Sequence, residues 1–204
     1  MKKYVMEFTG TFFLVLTIGL ADAPLTIGLV LAGLIYIGGH VSGAHYNPAV
    51  SLGFLFLRNI KIHEFIGYVL AQVFGSSMAC VALLTITSMV YYIEPPYNTM
   101  FAQQVAAELI FTLVFVWLIL TVSMHRFFKK NFAFGFIIGL VLAGLISLGE
   151  PLSGAMYNPA VFLGSTIIDS ILGGASYQHS VLYVLFPMVA GAGASALYAY
   201  FKDQ

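Results

Sequence analysis

Charge is what this sequence has least of. Only 8% of its 204 residues are Asp, Glu, Lys or Arg, against roughly 25% in soluble domains, so a water-soluble globular surface is excluded. Cations and anions cancel, eight of each, which leaves no basic excess for nucleic acid and no basic membrane-surface patch. The single cysteine, Cys80, excludes an intramolecular disulfide. Also missing are a glycine-rich phosphate loop, a metal-ligand cluster and a nucleophile paired with a base. The expectation is a protein with no enzyme activity, no catalytic residue, no metal and no cofactor.

What is there is apolar. Residues of apolar type make up 60% of the chain, and six runs are long enough for a helix to cross ~30 Å of hydrocarbon: 4–20, 25–41, 65–90, 102–122, 132–148 and 181–201. Lys2, Lys3, Arg58, Lys61, Arg126, Lys129, Lys130 and Lys202 are all the cations, and six crossings put every one on the same side. By the positive-inside rule that side is cytoplasmic, with both termini inside, as in a multi-pass protein of a plasma or inner membrane. Asp22, Glu94, Glu150 and Asp169 then lie outside, either as solvated loop acids or as a mildly acidic mouth. The first 23 residues resemble a signal peptide, but their removal would delete one crossing and break the charge pattern, so an uncleaved first helix is expected.

The chain also repeats itself. "GLVLAGLIYIGGHVSGAHYNPAVSLG" at 28–53 and "GLVLAGLISLGEPLSGAMYNPAVFLG" at 139–164 agree at 19 of 26 positions without a gap. "MEFTGTFFLV" and "AELIFTLVFV" echo each other further upstream and align Glu7 with Glu108. A single membrane domain over 1–204 is expected, made of two repeats, 1–100 and 101–204. Each repeat holds three crossings, an odd number, so the second enters the membrane inverted, an arrangement that places functional sites near the midplane.

Two more apolar segments, 47–57 and 158–168, have 11 residues each, or about 16 Å of helix at about 1.5 Å per residue. They reach only halfway. Each must be a loop that dips into the membrane and a half-helix that runs back out. Asn-Pro-Ala suits such a start: asparagine is a good N-cap, and proline at the first helical position gives up an amide that would lack a partner. One copy is an ordinary turn signal; two, at matching places in inverted halves, are specific. The predicted fold class is an all-α membrane protein with six transmembrane helices, two re-entrant half-helices and an inverted internal repeat.

With Asn47, Pro48, Ala49 and Asn158, Pro159, Ala160 both intact, the chain resembles the aquaporins of the major intrinsic protein family over essentially its whole length. The resemblance implies a homotetramer with one pore per subunit, in which the Asn47 and Asn158 amides donate to the passing oxygen. It implies that the backbones at Gly43, Ala44, His45, Tyr46, Gly154 and Met156 offer carbonyls to the pore, and that Glu7 and Glu108 hold the loops by accepting backbone hydrogen bonds. His40 and His45 fall beside the first loop and Pro151 and Met156 replace them in the second; packing and carbonyl placement are their expected roles. Gly67, Ala71, Gly75 and Ala79, four residues apart, are expected to let a neighbouring helix approach closely, as are Gly191, Gly193 and Ala194.

The sequence departs from the family at one place. Most members follow the second Asn-Pro-Ala with arginine, whereas this chain has Val161. Counting from the motifs puts the other filter positions at Ile27, Ile146 and Ala155. This quartet matches neither the water-selective nor the glycerol-conducting pattern. An apolar ring of this kind widens the opening for bulkier neutral solutes but can dewet and slow water. The expected function is a passive channel in the lipid bilayer for small uncharged solutes, with water to some extent, and with ions repelled by the positive ends of two facing half-helices. Rival readings are a water-selective aquaporin, a non-conducting structural or adhesion protein on the same scaffold, and a secondary transporter, for which the motifs offer no ionisable group.

Overall fold

A computed structural model describes residues 1–21, 23–128 and 131–202; Asp22, Lys129 and Lys130, to which the sequence assigns a side of the membrane, lie outside them. The described residues form eight α-helices: α1 (Lys2–Leu20), α2 (Pro24–Ser42), α3 (Pro48–Phe56), α4 (Ile62–Thr87), α5 (Phe101–Met124), α6 (Phe134–Ser153), α7 (Pro159–Ile171) and α8 (Phe186–Phe201). A π-helical turn, Val181–Leu185, leads into α8 and extends the last crossing to Val181–Phe201. Six helices are long and apolar enough to span a membrane, and α3 and α7 are the two half-helices. The chain is an integral, multi-pass membrane protein with the expected inverted-repeat fold.

The half-helices begin as their sequences dictate. Asn47 and Asn158 are extended residues whose side-chain oxygens accept from the Ala49 and Ala160 amides at 2.8 and 3.0 Å, with Pro48 and Pro159 in the first turn. α7 runs to Ile171, three residues past the expected 168. Asp169 lies in that extra turn. It is buried, and its carboxylate accepts from the Ser176 amide at 3.0 Å. Asp169 thus closes the turn after α7, and the acidic-mouth expectation does not hold for it.

The fifth crossing also ends later than expected, at Ser153 rather than 148. Glu150 and Pro151 read as a loop in sequence but form the last turn of α6. A proline ring there gives up one ladder bond. The turn survives because left-handed Gly154 caps it onto the Glu150 carbonyl at 3.0 Å and the Ser153 hydroxyl donates to Glu108 at 2.7 Å. His40 sits likewise in the last turn of α2 and is exposed, so neither it nor Pro151 belongs to a loop.

Helices α2 and α6 run antiparallel through the centre of the molecule and touch backbone to backbone. A Cβ on Gly28 would overlap the Gly139 carbonyl, and one on Gly139 the Gly28 carbonyl. Small residues permit this where no water is available to drive helices together. The α4 stripe works the same way against α1: Gly67 makes room for the Tyr4 ring, and Gly75 lies on the Phe8 carbonyl. Gly191 of α8 lies on the Ala49 carbonyl and so seats α3. Lys3 and Glu64 form an ion pair, which places the starts of α1 and α4 at the same end.

Candidate functional site: two re-entrant loops along one cavity

The loops before α3 and α7 have the same unusual backbone. Gly43, Ala44 and Tyr46 have positive φ of 89°, 53° and 50°; Gly154, Ala155 and Tyr157 repeat the pattern with 83°, 54° and 47°. For alanine and tyrosine this conformation costs on the order of 1–2 kcal/mol per residue, so something must hold it. Sequence gave no sign of it, because only one of the three residues in each loop is glycine.

Two buried carboxylates do the holding. Glu7, fully buried in α1, accepts from the His45 amide at 2.9 Å, the Tyr46 amide at 2.7 Å, the Ser42 hydroxyl at 2.6 Å and the Gln72 amide nitrogen at 2.8 Å. Glu108, fully buried in α5, accepts from the Met156 amide at 3.0 Å, the Tyr157 amide at 2.9 Å and the Ser153 hydroxyl at 2.7 Å. Hydrogen bonds to a charged acceptor are worth about 1.5–3 kcal/mol each, enough to offset the backbone strain of the loops.

The loop tyrosines, whose side chains sequence reasoning left without a role, anchor the other side. Tyr46 and Tyr157 are 1% exposed, and their hydroxyls donate to the Leu34 and Leu145 carbonyls at 3.0 and 3.1 Å. Tyr46 fits only because Gly10 and Gly38 face it, and Tyr157 because Gly149 does. From outside the loops, Tyr68 and Tyr183 donate to the Ser42 and Ser153 carbonyls, both at 2.6 Å. Tyr46 and Tyr157 stand 111 positions apart, the offset of the repeat, whereas Tyr68 and Tyr183 stand 115 apart, so the ungapped repeat does not pair them.

The halves differ in one polar network. In the first, Ser51 accepts from Gln72 at 3.1 Å and lies 3.1 Å from the His45 ring nitrogen, while that ring stacks on Phe54 with centroids 4.4 Å apart. In the second, Met156 stands for His45, Phe162 for Ser51, and Pro187, one turn after Tyr183, for Gln72. All three polar partners are replaced together, as a half-satisfied buried network would be worse than an apolar one. His45 is therefore a packed, hydrogen-bonded residue, in keeping with its expected packing role.

The loops meet at the asparagines. Asn47 donates to the Tyr157 carbonyl at 2.8 Å and Asn158 to the Tyr46 carbonyl at 2.9 Å. Each amide has two N–H groups, so one is taken by the opposite loop and one is left over. The Tyr46 carbonyl, expected to serve a pore, carries this cross-link as well.

Both asparagines line a cavity of about 240 Å³ that runs from Ala23, Tyr91 and Glu150 at one end to Ser123 and Phe134 at the other. Ile27, Ile146, Ala155 and Val161 all lie on its wall, as do Gly43, Ala44, His45, Tyr46, Gly154 and Met156. The structure adds Leu14, Phe115, Tyr91 and Ile93, which no motif marks, because they reach the cavity only through helix packing and the outer loop. Of the four acids assigned to the outer side, Glu150 alone lines it among the described residues. No group of three His, Cys, Asp or Glu able to hold a metal occurs among the described residues.

The profile of the family described as "Major intrinsic protein" matches residues 11–199. The chain is 32% identical to the glycerol uptake facilitator protein-like 6 of Lactiplantibacillus plantarum, over 93% of either chain. It is 28% identical to the aquaporin AqpM of Methanothermobacter thermautotrophicus, over 100% of this chain and 98% of that one. The X-ray structure of the aquaglyceroporin from Plasmodium falciparum superposes with a TM-score of 0.82 across 100% of this chain and 95% of its own; at 21% identity it speaks for the fold. Two Asn-Pro-Ala half-helices meeting on one cavity, in a chain matched almost end to end, lead to one assignment: it belongs to the major intrinsic protein family, whose members are passive membrane channels and not enzymes.

Proposed function

We propose that the chain conducts small uncharged solutes, water among them, through the cavity between its two repeats, and that it excludes ions. One observation carries this reading: the cavity passes both asparagines, and Glu150 is the only charged side chain on its wall among the described residues. The N-termini of α3 and α7 meet there, and each carries roughly half a positive charge, which repels cations. A permeating oxygen would accept from the free amide hydrogens of Asn47 and Asn158, while Gly43, Ala44, His45, Tyr46, Gly154 and Met156 supply carbonyls on the approach. Ile27, Ile146, Ala155 and Val161 act as the filter, with no side-chain donor at that level.

The names of the relatives, a glycerol uptake facilitator-like protein and an aquaporin, support glycerol-sized solutes and water as permeants. The one-sided cations support cytoplasmic termini, and the family supports a homotetramer of single-domain subunits, each built of repeats 1–100 and 101–204. The test is stopped-flow permeability of proteoliposomes to water, glycerol, urea, ammonia, peroxide and protonated weak acids, beside proton flux. Glycerol or urea entry faster than in protein-free liposomes, without a proton leak, is expected. No acceleration of any solute would leave only a non-conducting scaffold; acceleration of water alone would make the chain a water-selective pore.

A further inference from the structure

Glu150 is the one charged side chain on the cavity wall among the described residues, and it stands at one end only. Its counterpart 111 positions earlier is Gly39, so the repeat that makes the two loops alike does not carry the carboxylate to the other mouth. Ser123 and Phe134 line that other end. The Glu150 side chain is exposed and has no hydrogen bond or ion pair among the described residues. On the topology proposed above, every lysine and arginine belongs to the opposite side of the membrane, so none neutralises it.

The backbone of Glu150 is held in the last turn of α6, where its carbonyl accepts from the Gly154 amide at 3.0 Å. One turn back on the same helix is Ile146, which also lines the cavity. Residues four apart share a helix face and lie about 6 Å apart along the axis, so a carboxylate stands one turn outside the apolar filter. A solute entering that filter gives up water and gains no side-chain hydrogen bond from Ile146, Ala155 or Val161. A small polyol or urea can keep a donor on Glu150 while its other end is already among them, and the bond it keeps is charge-assisted. A solute without donors gains nothing there, because an ionised carboxylate only accepts.

We propose that Glu150 is a specificity-determining residue: a docking carboxylate at one mouth that favours small solutes rich in O–H and N–H donors, polyols and ureas, over solutes that only accept. The proposal deepens the channel reading above and rests on it. The same carboxylate binds guanidinium, which has the planar shape of urea and a full positive charge. The half-helix N-termini farther in stop that cation. It stays at Glu150 and blocks the mouth.

The test is urea entry into right-side-out and inside-out membrane vesicles of expressing cells, with guanidinium chloride outside and equal sodium chloride as the control. In the parent, guanidinium should slow urea entry several-fold in one vesicle orientation and not in the other. Glu150→Gln, of the same size, should abolish the block. It should also lower urea and glycerol permeability by roughly threefold to tenfold, since a neutral bond replaces a charge-assisted one, while entry of dimethyl sulfoxide, which has no donor, stays unchanged. Block of equal depth in the variant, block from both sides, no block in a conducting parent, or an equal loss for dimethyl sulfoxide would overturn the role of Glu150 while the channel stands. A parent that speeds no solute would remove the channel reading, and this proposal with it.

Discussion

Asn47 donates its side-chain amide to the Tyr157 carbonyl across 2.8 Å, and Asn158 returns the bond to Tyr46 across 2.9 Å. Each asparagine also caps its own half-helix through the other end of the same amide. One side chain thus fixes the start of its helix, the backbone of the opposite loop, and the direction of its free N–H.

Asn47→Ala should therefore cost more than a cap. Loss of an N-cap costs about 1 kcal/mol, and an orphaned buried carbonyl at Tyr157 adds about 1–3 kcal/mol. Thermal unfolding in detergent is expected to show a loss of this combined size for Asn47→Ala and again for Asn158→Ala. A change no larger than that of an exposed helix-start substitution would mean the cross-link contributes nothing.

Val161→Arg would restore a fixed charge and several donors to the outer ring and narrow it. Glycerol uptake should fall by roughly tenfold, equivalent to about 1.4 kcal/mol of added barrier. Equal permeability to every conducted solute, at matched protein and assembly, would place Val161 outside the filter.

Glu7 has four donors and Glu108 three. Gln72→Met leaves Glu7 with three donors, as Glu108 has, and should cost about 1.5–3 kcal/mol, the range for one charge-assisted bond. Glu7→Ala should cost well over that, since four donors lose their acceptor and the Tyr46 loop its brace. Similar melting temperatures for the two variants would refute the brace.

Gly139→Leu forces a side chain onto the Gly28 carbonyl, and overpacking of this kind costs about 1–3 kcal/mol or more. Gly144→Ala, whose added methyl meets nothing within 4 Å, is the control and should be neutral or stabilising. Equal behaviour of the two in a detergent melt would contradict the α2–α6 contact.

Sidedness can be read by cysteine labelling. Cys80 is buried and Glu94 and Arg126 are exposed, so Glu94→Cys should react with an impermeant maleimide from outside intact cells, and Arg126→Cys only after lysis. The reverse pattern would invert the proposed topology.

The sequence determined the six crossings, the inversion and the half-helices, because hydrophobic length, an odd number of crossings per repeat and Asn-Pro-Ala capping are local or countable properties. It also singled out Glu7 and Glu108, since a carboxylate in an apolar helix has to be explained by a partner. Tertiary structure alone decided the rest. The positive φ of Ala44, Tyr46, Ala155 and Tyr157 goes against local preference and persists only under the grip of carboxylates from α1 and α5. Glu150 and Pro151 are helical because Ser153 is tied to Glu108, against what acid and proline signal in sequence. Asp169 turned from a mouth acid into a turn brace when Ser176 folded over it. Phe115, Tyr91 and Ile93 reach the cavity only once separate segments pack around it, and the pairing of Asn47 with Tyr157 joins residues 110 positions apart, a distance at which no local pattern carries information.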